Sequence, residues 1–241
     1  MIGNKKIFFA LALLLISFAG CVSRDTVVST SVNPAEIYQD YSIHGSQKET
    51  TTYAFFLVGG SSGTTVELAS PSKAELNDVP MTKSAANLLK GTSYIAVEKG
   101  YQARHQITFT DSAGKIYRNT ITFDPIEFNP HEAVILRRSK MNFVPVTRIS
   151  VDDGEQLNLN LSNEDPITHQ KNSVVVYLPV TLDPSKRALV ITPETLQKMP
   201  NGNGMIVMQT GRSMSLEQKT KAGGNLRISY GAKPLKVKII P

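Results

Sequence analysis

The chain has 241 residues, of which 41% are hydrophobic and 19% charged, and its formal net charge is +6. That length can bury one large or two small cores, while the Lys and Arg residues form no block dense enough for a nucleic-acid footprint. A single cysteine and no tryptophan exclude an intramolecular disulfide and a sugar platform built on indole rings.

The N-terminus carries Lys5 and Lys6, then an apolar run from Ile7 to Ile16, then Ser17-Phe18-Ala19-Gly20-Cys21. A positive start, an apolar core and small residues at the cut describe a secretory signal peptide. The core is about ten residues long, half of what a membrane-spanning helix needs. Phe18-Ala19-Gly20-Cys21 resembles the lipobox of bacterial lipoproteins, with Phe18 where Leu is usual. The resemblance implies a diacylglycerol on the Cys21 sulfur, cleavage before Cys21 and acylation of the freed amine. The chain's membrane contact is then the lipid on Cys21, and two or more acyl chains anchor stably. Residues 1–20 are the expected signal peptide and 21–31 the lipidated N-terminus and tether. Removal of Lys5 and Lys6 lowers the formal charge from +6 to +4. Val22 and Ser23 follow the cysteine, where Asp marks inner-membrane retention. By resemblance to that sorting rule, the outer membrane is the expected location in a two-membrane cell.

Beyond the tether, the pattern is one of strands. A first strand is expected near Val27 to Val32. Thr51 to Val58 is β-branched and aromatic, stops at Gly59-Gly60, and resumes at Thr64 to Leu68. Runs of this kind, bounded by Gly, Ser and Pro, signal strands. His105 to Phe123 reads as a hairpin with its turn at Asp111 to Lys115, where Gly114 can take a positive φ. Tyr117, Asn119, Ile121 and Phe123 share one face of its second strand, a period of two that fits a sheet with one side in water. Pro125 and Pro130 interrupt the rhythm, which places a domain boundary near residue 126. Phe143 to Val151 is the next expected strand, and Asp152-Asp153-Gly154 a turn. Leu157 to Leu161 alternates strictly. Ser173 to Leu178 and Ala188 to Ile191 are apolar strands. Thr192, Pro193 and Glu194 supply the cap, first position and acidic first turn of a short helix. Met205 to Gln209, Ser213 to Glu217, Asn225 to Tyr230 and Leu235 to Ile240 are the closing strands.

Several groups could carry chemistry. Gly59-Gly60-Ser61-Ser62-Gly63 matches the letters of a serine-hydrolase elbow, but that elbow needs a helix directly behind its serine. Thr64-Thr65-Val66 favours a strand instead. Asp152, Asp153 and Glu155 cluster three carboxylates, which calcium or glycoside hydrolysis could use, although Asp-Gly is also ordinary turn chemistry. His44, His105, His131 and His169 lie at no metal-ligand spacing from one another. Asn163 to Pro166 and Asn201 to Gly204 read as polar loops. The eight tyrosines, Tyr53, Tyr101, Tyr177 and Tyr230 among them, could stack on sugars, though strand positions favour packing.

The expected fold class is all-β: two consecutive antiparallel β-sandwich domains of immunoglobulin-like architecture, at 32–126 and 127–241, after a lipoprotein signal. No catalytic residue, metal ligand or cofactor site is assigned, and lipidation at Cys21 is the one site expected. The function expected is a non-catalytic interaction or assembly module, with an envelope protein or exported polymer as partner and no nucleic acid. The alternative is an envelope hydrolase that gathers Asp152, Asp153, Glu155 and the histidines by folding.

Overall fold

The computed structural model describes residues 26–87, 91–129, 133–162, 175–177 and 180–241. The expected signal, Cys21, His131, His169 and the loop from Asn163 to Pro166 lie outside these residues.

Strands dominate the described chain. Its first half contains β1 (Thr26–Val28), β2 (Ile37–Ser46), β3 (Glu49–Val58), β4 (Thr64–Glu67), β5 (Lys73–Leu76), β6 (Val79–Pro80), β7 (Thr82–Asn87), β8 (Gly91–Lys99), β9 (Arg104–Thr110) and β10 (Ile116–Thr122). The second half contains β11 (Val134–Arg137), β12 (Asn142–Pro145), β13 (Glu155–Ser162), β14 (Val175–Tyr177), β15 (Leu182–Asp183) and β16 (Ala188–Ile191). Helix α1 (Pro193–Gln197) and strands β17 (Gly202–Ser215), β18 (Gly224–Gly231) and β19 (Leu235–Ile240) close it.

The largest sheet runs β1-β4-β3-β2-β18-β17-β13-β14, with β7, β8, β11 and β19 joined to its sides. A second sheet, β10-β9-β5-β6, and a third, β12-β16-β15, are smaller. Period-two alternation explains which face of the large sheet is dry. In β2, Ile37, Tyr41 and Ile43 are buried while Tyr38, Asp40, Ser42 and His44 face outward. In β3, Ala54 and Phe56 turn in. The second sheet covers that inner face: the ring of Phe56 lies 4.5 Å from that of Phe109 on β9, and Phe109 stacks on Tyr117 of β10 at 5.8 Å. This gives a sandwich-like pairing of sheets. Aromatic pairs at such distances add about 0.5–1.5 kcal/mol each beyond area burial.

The β9–β10 hairpin forms as its sequence implies. Ile116 pairs with Thr110 and Thr122 with Arg104. The Asp111 carboxylate accepts from the amides of Ala113 and Lys115 at 2.9 Å each, and Gly114 takes φ +79°. Helix α1 also begins at its expected cap, with the Thr192 hydroxyl accepting from the Thr195 amide at 3.3 Å. It is more than a connector, because Leu196 and the following Met199 are fully buried in the core.

Strands of both halves share one sheet and one core cluster: β18 pairs in parallel with β2 over Gly224–Gly231 and Gln39–Ser46. The halves are also tied elsewhere. The Asn119 side chain exchanges bonds with the backbone of Gln218 at 2.8 and 3.0 Å, and Arg212 donates to the Thr122 carbonyl at 2.6 Å. Two expectations are corrected. The two closing strands expected at Met205–Gln209 and Ser213–Glu217 are one, β17, because Gly211 is a mid-strand residue rather than a turn. A Cβ on Gly211 would lie 2.5 Å from the Ile228 carbonyl oxygen, so close strand approach, not a reversal, requires glycine there. The strand expected over Phe143–Val151 also ends early, at Pro145, apart from a single bridge between Val146 and Phe128.

Candidate functional site

The outer face of the large sheet carries a shallow groove of about 310 Å³. Four adjacent strands build it. Strand β2 contributes Ser42 and His44, β18 Arg227 and Ser229, β17 Gln209, Gly211 and Ser213, and β13 Gln156 and Asn158. Each is the polar partner of an inward apolar neighbour, such as Ile43, Ile228, Met208 or Leu159. Register places His44, Ser229, Gly211 and Gln156 in one row across the strands. Short residues in the middle of that row, and longer ones along its sides, make the depression.

His44 Nδ1 and Ser229 Oγ lie 2.9 Å apart across the β2–β18 join. Tyr53, opposite Ser42 on β3, adds an aromatic flank. Its ring meets the His44 ring edge-on at 6.0 Å and stacks on Phe55 at 6.5 Å with 17° between planes. The charge in the groove is largely balanced, since Arg227 donates to Asp40 Oδ2 at 2.7 Å.

The acidic cluster at 152–155 is taken up by structure. Glu155 has a fully buried side chain, and Arg148 Nη2 donates to its two oxygens at 2.7 and 2.9 Å. The Asp152 amide also donates to Glu155 at 3.0 Å, and Arg148 reaches the carbonyls of Ser150 and Asp124 at 2.6 and 2.7 Å. This arginine therefore ties the segment before β13 to the segment after β10. Gly154 takes φ +75° in the turn. Among the described residues no group of three or more His, Cys, Asp or Glu is placed to hold a metal ion.

Ser61 sits in the tight connection from β3 to β4, where the Gly63 amide donates to the Gly60 carbonyl at 3.0 Å. A strand, not a helix, begins behind it at Thr64, so the backbone geometry of a nucleophile elbow is not formed there. His105 is fully buried between β8 and the Tyr101 ring. Burial pushes its pKa below the ordinary histidine value, and Glu98, whose carboxylate is 3.5 Å from Nδ1, opposes that shift. His44 and His105 thus lie in different environments, one in the outer groove and one in the core.

A second cleft, of about 450 Å³, opens where the two halves meet, between Gln47, Tyr101, Asp124, Glu127, Thr147 and Tyr230. The Tyr230 hydroxyl donates to the Glu127 carboxylate, and the Tyr101 hydroxyl to the Phe123 carbonyl at 2.8 Å. Burial pushes both phenol pKa values up, with the Glu127 and Asp124 charges adding to Tyr230 and Tyr101 respectively. These groups hold one another in place.

Sequence reasoning reached His44 but missed Ser42, Gln156, Asn158, Gln209 and Ser229 as one surface. The signal for part of it was present in Leu157-Asn158-Leu159-Asn160-Leu161, whose polar half is the wet face. No protein-family model matches the chain, and no curated protein matches it by sequence.

Proposed function

We propose that this chain is a lipid-tethered envelope protein that works by binding a partner rather than by covalent chemistry. Lipid on Cys21 would hold it at the membrane, with Val22 and Ser23 directing it to the outer membrane. The finer architectural reading, two immunoglobulin-like sandwiches in tandem, belongs to the same proposal, with the parallel β2–β18 pair as their seam. The partner is an envelope protein or an exported polymer.

The observation that carries this reading is the open outer face of the large sheet. Its groove is wide, shallow and lined by exchangeable hydrogen-bonding groups from both halves of the chain. Scaffolds of this kind present a surface, and function lives in the residues placed on it. Two experiments test the proposal. Metabolic palmitate labelling is expected to mark the parent and not Cys21→Ala; equal labelling removes the tether. Cross-linking in intact envelopes is expected to trap a partner with the parent and much less with Gln156→Lys, which places a long cation in the groove. Identical adducts in both refute the binding role of this face.

A further inference from the structure

We infer that the outer groove binds a neutral glycan chain lying across the strands. The inference rests on the binding-module reading and adds the ligand class. The groove offers hydroxyls from Ser42, Ser213 and Ser229 and amides from Gln156, Asn158 and Gln209. Each of these side chains can both donate and accept, as sugar hydroxyls do, so a polyhydroxylated chain can satisfy them in several arrangements. Of the two arginines that line the groove, Arg227 is paired with Asp40 and Arg212 donates to the Thr122 carbonyl, so neither guanidinium is left unengaged to hold a polyanion.

Shape points the same way. The row from His44 to Gln156 crosses three inter-strand gaps, about 14 Å at the usual strand spacing, which is a run of roughly three sugar rings. The groove is a shallow depression rather than a closed cavity. Tyr53 stands at the β3 side, next to His44. Its half-buried ring, stacked on Phe55, offers a flat face to the C–H side of a sugar ring at low entropic cost. An extended peptide fits less well. Peptides add to a sheet through a backbone edge and need pockets for alternate side chains, whereas here a sheet face is presented, with hydrogen-bonding side chains set along it.

The test is native electrophoresis of the detergent-solubilised full chain through gels containing laminarin, dextran, mannan or alginate. Retardation by at least one of the three neutral glycans is expected, and it should survive about 0.5 M salt because no ion pairing drives it. Gln156→Ala with Gln209→Ala, both exposed in the parent, should weaken binding about tenfold or more, as loss of central contacts does. Tyr53→Leu, which keeps apolar bulk without the ring, should do the same. Ile116→Thr, exposed on β10 of the second sheet, should leave retardation unchanged. Failure of all three neutral glycans overturns the inference, and so does retention by alginate alone. Retention that survives both groove variants, or competition by unrelated extended peptides but not by sugar, overturns it as well. Partner capture in envelopes that persists when every glycan fails removes the glycan and keeps the binding-module reading; loss of both removes both.

Discussion

Replacing Arg148 by Met should destabilise the chain severely, and the structure sets the size of the effect. The Glu155 side chain has no exposure, while that of Arg148 retains 16%. Removing the guanidinium leaves a carboxylate in the interior with one remaining donor, the Asp152 amide at 3.0 Å. Breaking a buried pair from one side typically costs about 3–5 kcal/mol, because the remaining charge is uncompensated. At roughly 2–4 °C per kcal/mol for a chain of this size, the midpoint should fall by about 6–20 °C. The carbonyls of Asp124 and Ser150 also lose their donor, which adds to the cost. Far-UV circular dichroism during urea and thermal unfolding measures this directly. Arg148→Met combined with Glu155→Leu should recover most of the loss, since an apolar pair of similar volume replaces a buried ion pair at little cost. Asp152→Ala should cost less than about 1 kcal/mol, because Asp152 is mostly exposed and its contact with Arg148 is 3.4 Å. An Arg148→Met cost below about 1 kcal/mol, or a double variant as unstable as the single, would refute the assignment of this pair as a buried clamp.

Other outcomes follow from single features. The His105 pKa is lowered by burial in the fold, so the unfolded chain takes up its proton first as pH falls. The contribution of His105 is fully present above about pH 6.5 and is lost below it, by at most about 1.4 kcal/mol per pH unit; His105→Leu should flatten the fall in urea midpoint between pH 7.5 and 5 relative to the parent. Gly45→Ala should cost about 1–3 kcal/mol by overpacking, because its Cβ would collide with the Tyr101 ring and sit 3.2 Å from that of Tyr230. Equilibrium unfolding checks it, and a neutral result would show that the Tyr101–Tyr230 pair moves freely. Asn119→Leu should cost about 1–3 kcal/mol, because two part-buried hydrogen bonds to the Gln218 backbone are lost. Ser61→Ala should change stability by less than about 0.5 kcal/mol, and mass mapping after fluorophosphonate treatment should find no adduct on Ser61 in the parent.

Local signals carried much of the fold. The β9–β10 hairpin was legible because Asp111 and Gly114 both state the turn, and α1 because Thr192, Pro193 and Glu194 state a start. Strand β2 was less visible. Its inward positions alternate as Ile37, Gln39, Tyr41, Ile43 and Gly45, and a buried glutamine and a glycine break the apolar rhythm. The Tyr41 hydroxyl donates to Gln39 Oε1 at 3.0 Å, while the buried Nε2 finds no partner among the described residues, an arrangement that no periodicity reveals. Gly211 misled in the opposite way, since a glycine demanded by close strand approach has the same letter as one demanded by a turn. The acidic group at 152–155 resembled a site until Arg148 was found opposite Glu155. That partner lies only seven residues away, but a carboxylate cluster and an ion-paired clamp differ in the direction of one side chain.

The seam between the halves decides whether the groove exists at all. Ser42 and His44 come from the first half of the chain, while Gln156, Gln209 and Ser229 come from the second. No local sequence window contains both sets. They share a surface because β18 pairs in parallel with β2 in a register that sets Ser229 beside His44. A slip of one residue would turn the polar set inward and the apolar set outward. The inward set includes Tyr41, Ile43, Leu226 and Ile228, all at most 2% exposed, and exposing any one of them would cost about 1.5–3 kcal/mol. Core packing thus fixes the register, and the register fixes the groove. The seam is held at both ends by glycines in close contact: a Cβ at Gly224 would lie 2.6 Å from the Gln39 carbonyl oxygen, and one at Gly45 would meet Tyr101. The same burial that makes the two halves one core therefore aligns the hydrogen-bonding side chains on the opposite face, and a partner bound there reads the join itself rather than either half.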